Sequence, residues 1–205
     1  MDDALYTGVP IGFTFKFNNV NYTNVGVSTN GFIWFGTNDP LSTTYTPLTY
    51  AGSLDGAISV FGRDLIGCPP PVTSGHTPTL RYVTSGTAPN RIFTIEWYCV
   101  RAKTYTAGTG LCASFGFSNI NRMDLQIRLY ESQGNRIDIH NNIAPYCLDG
   151  SFSAQVGLRG NVNTDYNNRL VTCSGNSWAA PAAGVANSST CTISESPSCY
   201  PAARN

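Results

Sequence analysis

Alternation of apolar and polar side chains is the feature that most constrains what this chain can fold into. In Gly12–Phe17, the three phenylalanines occupy every second position, while Thr14 and Lys16 fall between them. Successive side chains point to opposite faces of a β-strand, whereas a helix repeats every 3.6 residues. The sequence has no sustained helical period. It therefore predicts a chain of strands that each bury one face.

Turn-forming residues divide the chain into about ten such strands. Asn30-Gly31 lies between two β-rich runs, which is a strong signal for a hairpin. The predicted strands are Gly12–Phe17, Val25–Val27, Phe32–Phe35, Ala57–Phe61, Leu80–Val83, Arg91–Arg101, Leu111–Phe117, Met123–Glu131, Arg136–His140 and Phe152–Leu158.

This pattern predicts an all-β fold, an antiparallel β-sandwich or jelly roll, in a single domain. We assign the sandwich to residues 1–173. Residues 174–205 are rich in Ala, Pro, Gly, Ser and Thr, and they are predicted to form a tail. The tail either packs on the domain or leads to a linker.

Three of the predicted strands carry a polar face that is the best candidate binding surface. In Arg91–Arg101 and Met123–Glu131 the apolar residues share one face and the polar residues share the other. If these strands and Arg136–His140 are neighbours, one sheet face is apolar and the opposite face is polar. The candidate ligand-binding residues on that face are Glu96, Tyr98, Gln126, Arg128, Tyr130 and Asp138, with Arg136 and His140 beside them.

Composition excludes several classes of partner. Twelve Lys and Arg residues balance twelve Asp and Glu residues, so no net charge favours nucleic acid or an anionic membrane. No apolar run approaches the roughly 18 residues that a membrane-spanning helix needs. We expect no nucleic-acid partner and no membrane insertion.

The chain has seven cysteines and only two histidines, and it lacks the CxxC spacing of zinc sites. This favours disulfides formed in an oxidising compartment, with one cysteine left over. The connectivity stays open, although Cys99 with Cys112 and Cys191 with Cys199 are reasonable pairs. The disulfide candidates are Cys99, Cys112, Cys147, Cys173, Cys191 and Cys199.

The sequence contains little that indicates catalysis, so we expect no catalytic residue and expect that the chain is not an enzyme. Glu96 could share a face with Asp124 or Asp138, as general acid–base pairs do, but arginines share that face and cross-strand ion pairing explains the set. No GxSxG nucleophile motif occurs.

We expect no cofactor, with calcium as the one alternative. Asn161, Asn163 and Asp165 alternate as calcium ligands do. The segment lacks the central glycine and the closing glutamate of an EF-hand, and Asn-rich segments are usually simple turns.

Several segments resemble a β-sandwich module of large secreted, adhesin-like surface proteins of Bacteroidota. The resemblance covers most of the chain in the order that the family shows. The segments that carry it are Ile11–Phe15, Val27–Gly36, Ala88–Trp97, Leu125–Glu131, Gln155–Gly160, Thr164–Arg169 and Trp178-Ala179.

The resemblance implies an extracellular or cell-surface module, carried by a larger protein that the type IX secretion system exports. Met1 before Asp2-Asp3-Ala4 fits a start codon added to such a fragment, so we expect further domains in the parent chain. The favoured function is non-catalytic, adhesin-like binding of a glycan or protein surface ligand. The alternatives are a carbohydrate-binding module of a polysaccharide-degrading enzyme and a structural filament subunit.

Overall fold

The structure is a computed structural model that describes residues 1–68, 77–103, 122–143, 153–168, 171–172 and 182–183. These residues form strands and turns and contain no helix. The strands are β1 (Leu5–Phe17), β2 (Val20–Ser28), β3 (Phe32–Trp34), β4 (Ala57–Gly62), β5 (Leu65–Gly67), β6 (Thr79–Ser85), β7 (Ile92–Ala102), β8 (Met123–Tyr130), β9 (Ile137–Ile143), β10 (Ser153–Arg159), β11 (Tyr166–Asn168), β12 (Val171–Thr172) and β13 (Ala182–Ala183).

The strands form two antiparallel sheets that pack face to face. The first sheet has the order β1-β2-β3-β4-β10-β11-β13, and β12 also pairs with β10. The second sheet has the order β5-β7-β8-β9, and β6 also pairs with β7. The predicted all-β antiparallel sandwich is therefore confirmed.

One continuous apolar core lies between the two sheets. In β1 every second residue from Val9 to Phe17 is buried and the residues between them are exposed, as the alternation predicted. The inner side chains of β7 and β8 meet those of the first sheet in the same cluster. Trp97 is fully buried there, and its indole N–H donates to the backbone carbonyl of Ser28 across the two sheets at 2.8 Å.

The Asn30-Gly31 hairpin is confirmed, since β2 pairs with β3 through Ser28 and Phe32. Gly31 has a φ of +78°, and a Cβ there would lie 2.4 Å from the carbonyl oxygen of Phe61. Only glycine fits this close approach. Asn30 is itself fully buried, which a turn signal alone does not predict.

The first strand is longer than predicted, and Gly8 and Gly12 take positive φ within it. The pairing of β1 with β2 shifts register at both places, yet the strand continues from Leu5 to Phe17. These irregularities shift the pairing without ending the strand, and the alternation of buried and exposed residues continues across Gly12.

Some predictions lie outside the described residues. They include the strand Leu111–Phe117 and Cys112, Cys147, Cys173, Cys191 and Cys199. The domain boundary after residue 173 stays a prediction, although Asn167 and Asn168 of β11 pair with Ala183 and Ala182.

Candidate functional site

The polar side chains predicted to form a surface do lie together, on the outer face of the second sheet. The register places Thr94, Arg128 and Asp138 in one row. The next row contains Arg81, Glu96, Gln126 and His140. We call the outer-face residues Arg81, Glu96, Tyr98, Arg122, Asp124, Gln126, Arg128, Tyr130, Arg136, Asp138 and His140 the polar face.

Glu96 is the acceptor at the centre of the polar face. Arg81 Nε donates to Glu96 Oε2 at 2.5 Å, and Gln126 Nε2 donates to Glu96 Oε1 at 2.7 Å. Arg128 extends the chain of hydrogen bonds by donating to Gln126 Oε1 at 2.8 Å. Cross-strand pairs of opposite charge stabilise neighbouring strands in this way without any ligand.

Asp138 is the second acceptor of the polar face. Arg136 Nε and Nη2 each donate to this carboxylate at 2.8 Å, which is the bidentate geometry of a strong ion pair. The Tyr130 hydroxyl adds a hydrogen bond of 2.7 Å. Burial pushes the pKa of Asp138 upward, but the hydrogen bonds from Arg136 and Tyr130 outweigh it, so the pKa lies below its ordinary value.

Tyr98 lies beside two guanidinium groups. The Arg81 Cζ is 5.4 Å from the centroid of the Tyr98 ring, and the Arg122 Cζ is 4.8 Å from it. Arg122 is held in turn by Asp124, with Nη2 to Oδ2 at 2.7 Å. A guanidinium over an aromatic ring is a favourable cation–π contact.

The carboxylates of the polar face are all held by arginines. Asp138 stays ionised near neutral pH, and Glu96 and Asp124 are each engaged by an arginine. His140 Nε2 lies 3.9 Å from Asp138 Oδ2. That the chain is not an enzyme stays a prediction.

Arg81 and Arg122 belong to the polar face, and the sequence reasoning missed both. Arg81 lies in β6 directly opposite Glu96, so assigning β6 as a neighbour of β7 would have found it. Arg122 precedes β8 by one residue and continues its alternation, since Asp124 lies on the same face.

The candidate calcium ligands occupy an exposed turn. Asn161 and Asn163 are exposed, and the backbone closes the turn through Asp165 N to Val162 O at 3.1 Å and Gly160 N to Asp165 O at 2.7 Å. Asp165 lines a cleft of about 300 Å³, whose other lining residues include Lys16. Calcium binding at this turn stays a prediction.

A second acidic group lies where the N-terminal segment meets β5. Carboxylate oxygens of Asp2, Asp3 and Asp64 lie within 4.8 Å of one another. The ammonium group of Lys103 sits among them, at 3.2 Å from Asp2, 3.5 Å from Asp3 and 3.9 Å from Asp64. This lysine supplies the positive charge that such a cluster needs.

Among the described residues, no helix is long and apolar enough to span a membrane. A family model described as NIDO related matches residues 1–201. The chain belongs to this NIDO-related family. Nidogen-like domains are extracellular modules, which agrees with the extracellular module that the resemblance in the sequence implies. No curated protein sequence and no solved structure matches the chain significantly.

Proposed function

We propose that this NIDO-related chain is a non-catalytic extracellular module of a larger protein, and that it binds a protein partner through the polar face. The family supports the extracellular setting and the modular character. Origin in Bacteroidota, export by the type IX system and an adhesin role remain predictions from the resemblance in the sequence.

The proposal rests on one observation: in two ion pairs of the polar face, the arginine is exposed to solvent and the carboxylate lies beneath it. The Arg81 side chain is 63% exposed while its partner Glu96 is 14% exposed. Arg136 is 49% exposed while Asp138 is 10% exposed. An approaching partner therefore meets guanidinium groups, with the carboxylates beneath them. Arginine and tyrosine are the residues most enriched at the energetic centres of protein interfaces.

The same geometry favours protein over carbohydrate. Sugar rings bind by packing on an open aromatic face, but Arg81 and Arg122 lie over Tyr98. The Arg136 Cζ lies 4.6 Å from the centroid of Tyr130. Guanidinium donors suit carboxylates and backbone carbonyls of a protein partner, particularly an acidic one.

Array binding tests this proposal. The purified chain is applied to an array of extracellular-matrix and mucin-type proteins and, in parallel, to a glycan array. We expect saturable binding on the protein array, weakened about tenfold or more by Arg136→Ala and by Arg81→Ala, since a central interface residue contributes more than about 1.4 kcal/mol. Lys16→Ala, a solvent-facing position on the first sheet, is the matched control and is expected to bind as wild type does.

Other outcomes would overturn the proposal. Saturable glycan binding that Tyr98→Ala abolishes would establish the carbohydrate-binding alternative. Polymers in size-exclusion chromatography with both arrays blank would favour the filament subunit. Hydrolysis of any substrate in a broad panel would contradict the non-catalytic assignment.

A further inference from the structure

Two cysteines face each other where three strands of the second sheet meet. β5 and β6 lie end to end along the same edge of β7, since Gly67 pairs with Val100 and Thr79 pairs with Tyr98. Cys99 lies between those two partners. Cys68 directly follows β5 and continues its register, so it is placed opposite Cys99.

The contacts confirm that the two residues are opposite one another. Cys68 N donates to the carbonyl oxygen of Cys99 at 2.9 Å. Both residues are buried as free thiols, and Cys99 lies near enough to raise the pKa of the Cys68 thiol. Directly opposed residues of antiparallel strands have Cα atoms about 4.5–5.5 Å apart, which lies within the range that a disulfide spans.

The backbone at Cys99 is held in an unusual conformation. Cys99 has a φ of +56°, and the pairing of β7 with β8 shifts register between Trp97 and Val100. An L-residue rarely adopts this region without support. Asp124 Oδ1 supplies that support by accepting the Cys99 N–H at 2.9 Å, and it is itself held by Arg122.

We propose that Cys68 and Cys99 form a disulfide that joins β5 to β7 at this junction. The oxidant is a disulfide-bearing compound, such as oxidised glutathione or a disulfide oxidoreductase. One cysteine thiolate attacks the disulfide of the oxidant, forms a mixed disulfide and expels a thiolate. The second cysteine thiolate attacks the protein sulfur of that mixed disulfide and expels the other thiolate. Two protons leave the cysteines, and two electrons reduce the oxidant.

Burial determines when the bond forms. Desolvation raises the pKa of the Cys68 thiol, and the neighbouring Cys99 thiol raises it further. Because the thiolate is the attacking species, exchange in the folded protein is slow. The bond therefore forms before the second sheet closes, and it resists reduction afterwards. In the organism, formation of this disulfide rests on the proposed extracellular location, which is oxidising. The experiment in vitro supplies its own oxidant.

Peptide mapping tests the pairing directly. The full chain is unfolded, refolded in a mixture of reduced and oxidised glutathione, alkylated and digested with trypsin without reduction. Cys68 lies in the tryptic peptide 64–81, Cys99 in 92–101 and Cys112 in 104–122, and each peptide contains one cysteine. We expect 64–81 joined to 92–101.

The rival pairing of Cys99 with Cys112 would instead join 92–101 to 104–122, and this result would overturn the proposal. Alkylated Cys68 and Cys99 in the refolded protein would also overturn it. Cys112→Ala is the matched control, and it is expected to leave the 64–81/92–101 product intact. In the folded oxidised protein, we expect dithiothreitol to release this product at least about tenfold more slowly than after unfolding in urea. Equal release rates would contradict the burial of the bond.

Discussion

At the scale of single residues, Asn30 holds three separate segments together. Its Nδ2 donates to Asp3 Oδ1 at 3.0 Å and to the Ser42 carbonyl at 2.9 Å, while its Oδ1 accepts the Leu65 N–H at 3.0 Å. The side chain is fully buried, so water cannot easily replace these partners.

Asn30→Ala is therefore expected to lower the free energy of unfolding by about 2–4 kcal/mol, because it leaves a buried N–H and a carbonyl without partners. Urea unfolding measures the change. Asn24→Ala is the matched control, since Asn24 is exposed on β2 and its side chain donates to the neighbouring Thr23 hydroxyl. Its change is expected to stay within about 0.5 kcal/mol. Similar losses in both variants would contradict the role of Asn30.

At the scale of strands, the ionised Asp138 makes the stability of the β8–β9 part of the polar face depend on pH. The folded pKa of Asp138 lies below its ordinary value, so its contribution to stability is present above about pH 4 and is lost as the pH falls through the folded pKa. We expect Asp138→Asn to lose less stability than wild type between about pH 5 and pH 2. Unfolding in urea across that window measures both slopes.

A second variant distinguishes the contribution of the Arg136–Asp138 ion pair from the loss of stability that other groups cause at low pH. Arg136→Gln removes the guanidinium that holds the pKa down, so its slope is also expected to flatten. Burial raises the pKa of Asp64 and acts in the opposite direction, but it does so equally in all three proteins. Identical slopes for wild type and Asp138→Asn would refute the assignment.

The sequence predicts features that depend on neighbouring residues, and it does not predict those that depend on contacts between distant segments. Alternation correctly placed the buried faces of β7 and β8, because the period of two is a property of each strand alone. It missed Arg81, because short alternating runs do not say which strand lies beside them. It also missed the hydrogen bonds of the Asn30 side chain. The Asn-Gly turn signal is local, whereas the partners of Asn30 are distant in the sequence.

At the scale of the whole molecule, the sandwich depends on pairings between strands far apart in the chain. β4 pairs with β10, about a hundred residues later, and Gln155 of β10 contacts the loop before β4 through its hydrogen bond to the Leu48 N–H at 2.8 Å. Arg159 donates to the carbonyls of Pro47, Tyr50 and Gly52. No local pattern encodes such pairings, so the sheet order could not be read from the sequence.

Trp97 makes one of the hydrogen bonds that connect the two sheets, and a single substitution tests its contribution to stability. Trp97→Phe keeps an aromatic ring in the core but removes the N–H that reaches Ser28 O. Because Ser28 is fully buried, we expect a loss of about 1–3 kcal/mol in the free energy of unfolding. Trp34→Phe is the matched control: Trp34 is equally buried, but its N–H donates to Asp39, which is exposed and can bind water instead. Urea unfolding of both variants should therefore show the larger loss at Trp97. A loss at Trp34 as large or larger would mean that the hydrogen bond from Trp97 to Ser28 adds nothing beyond the packing of the ring.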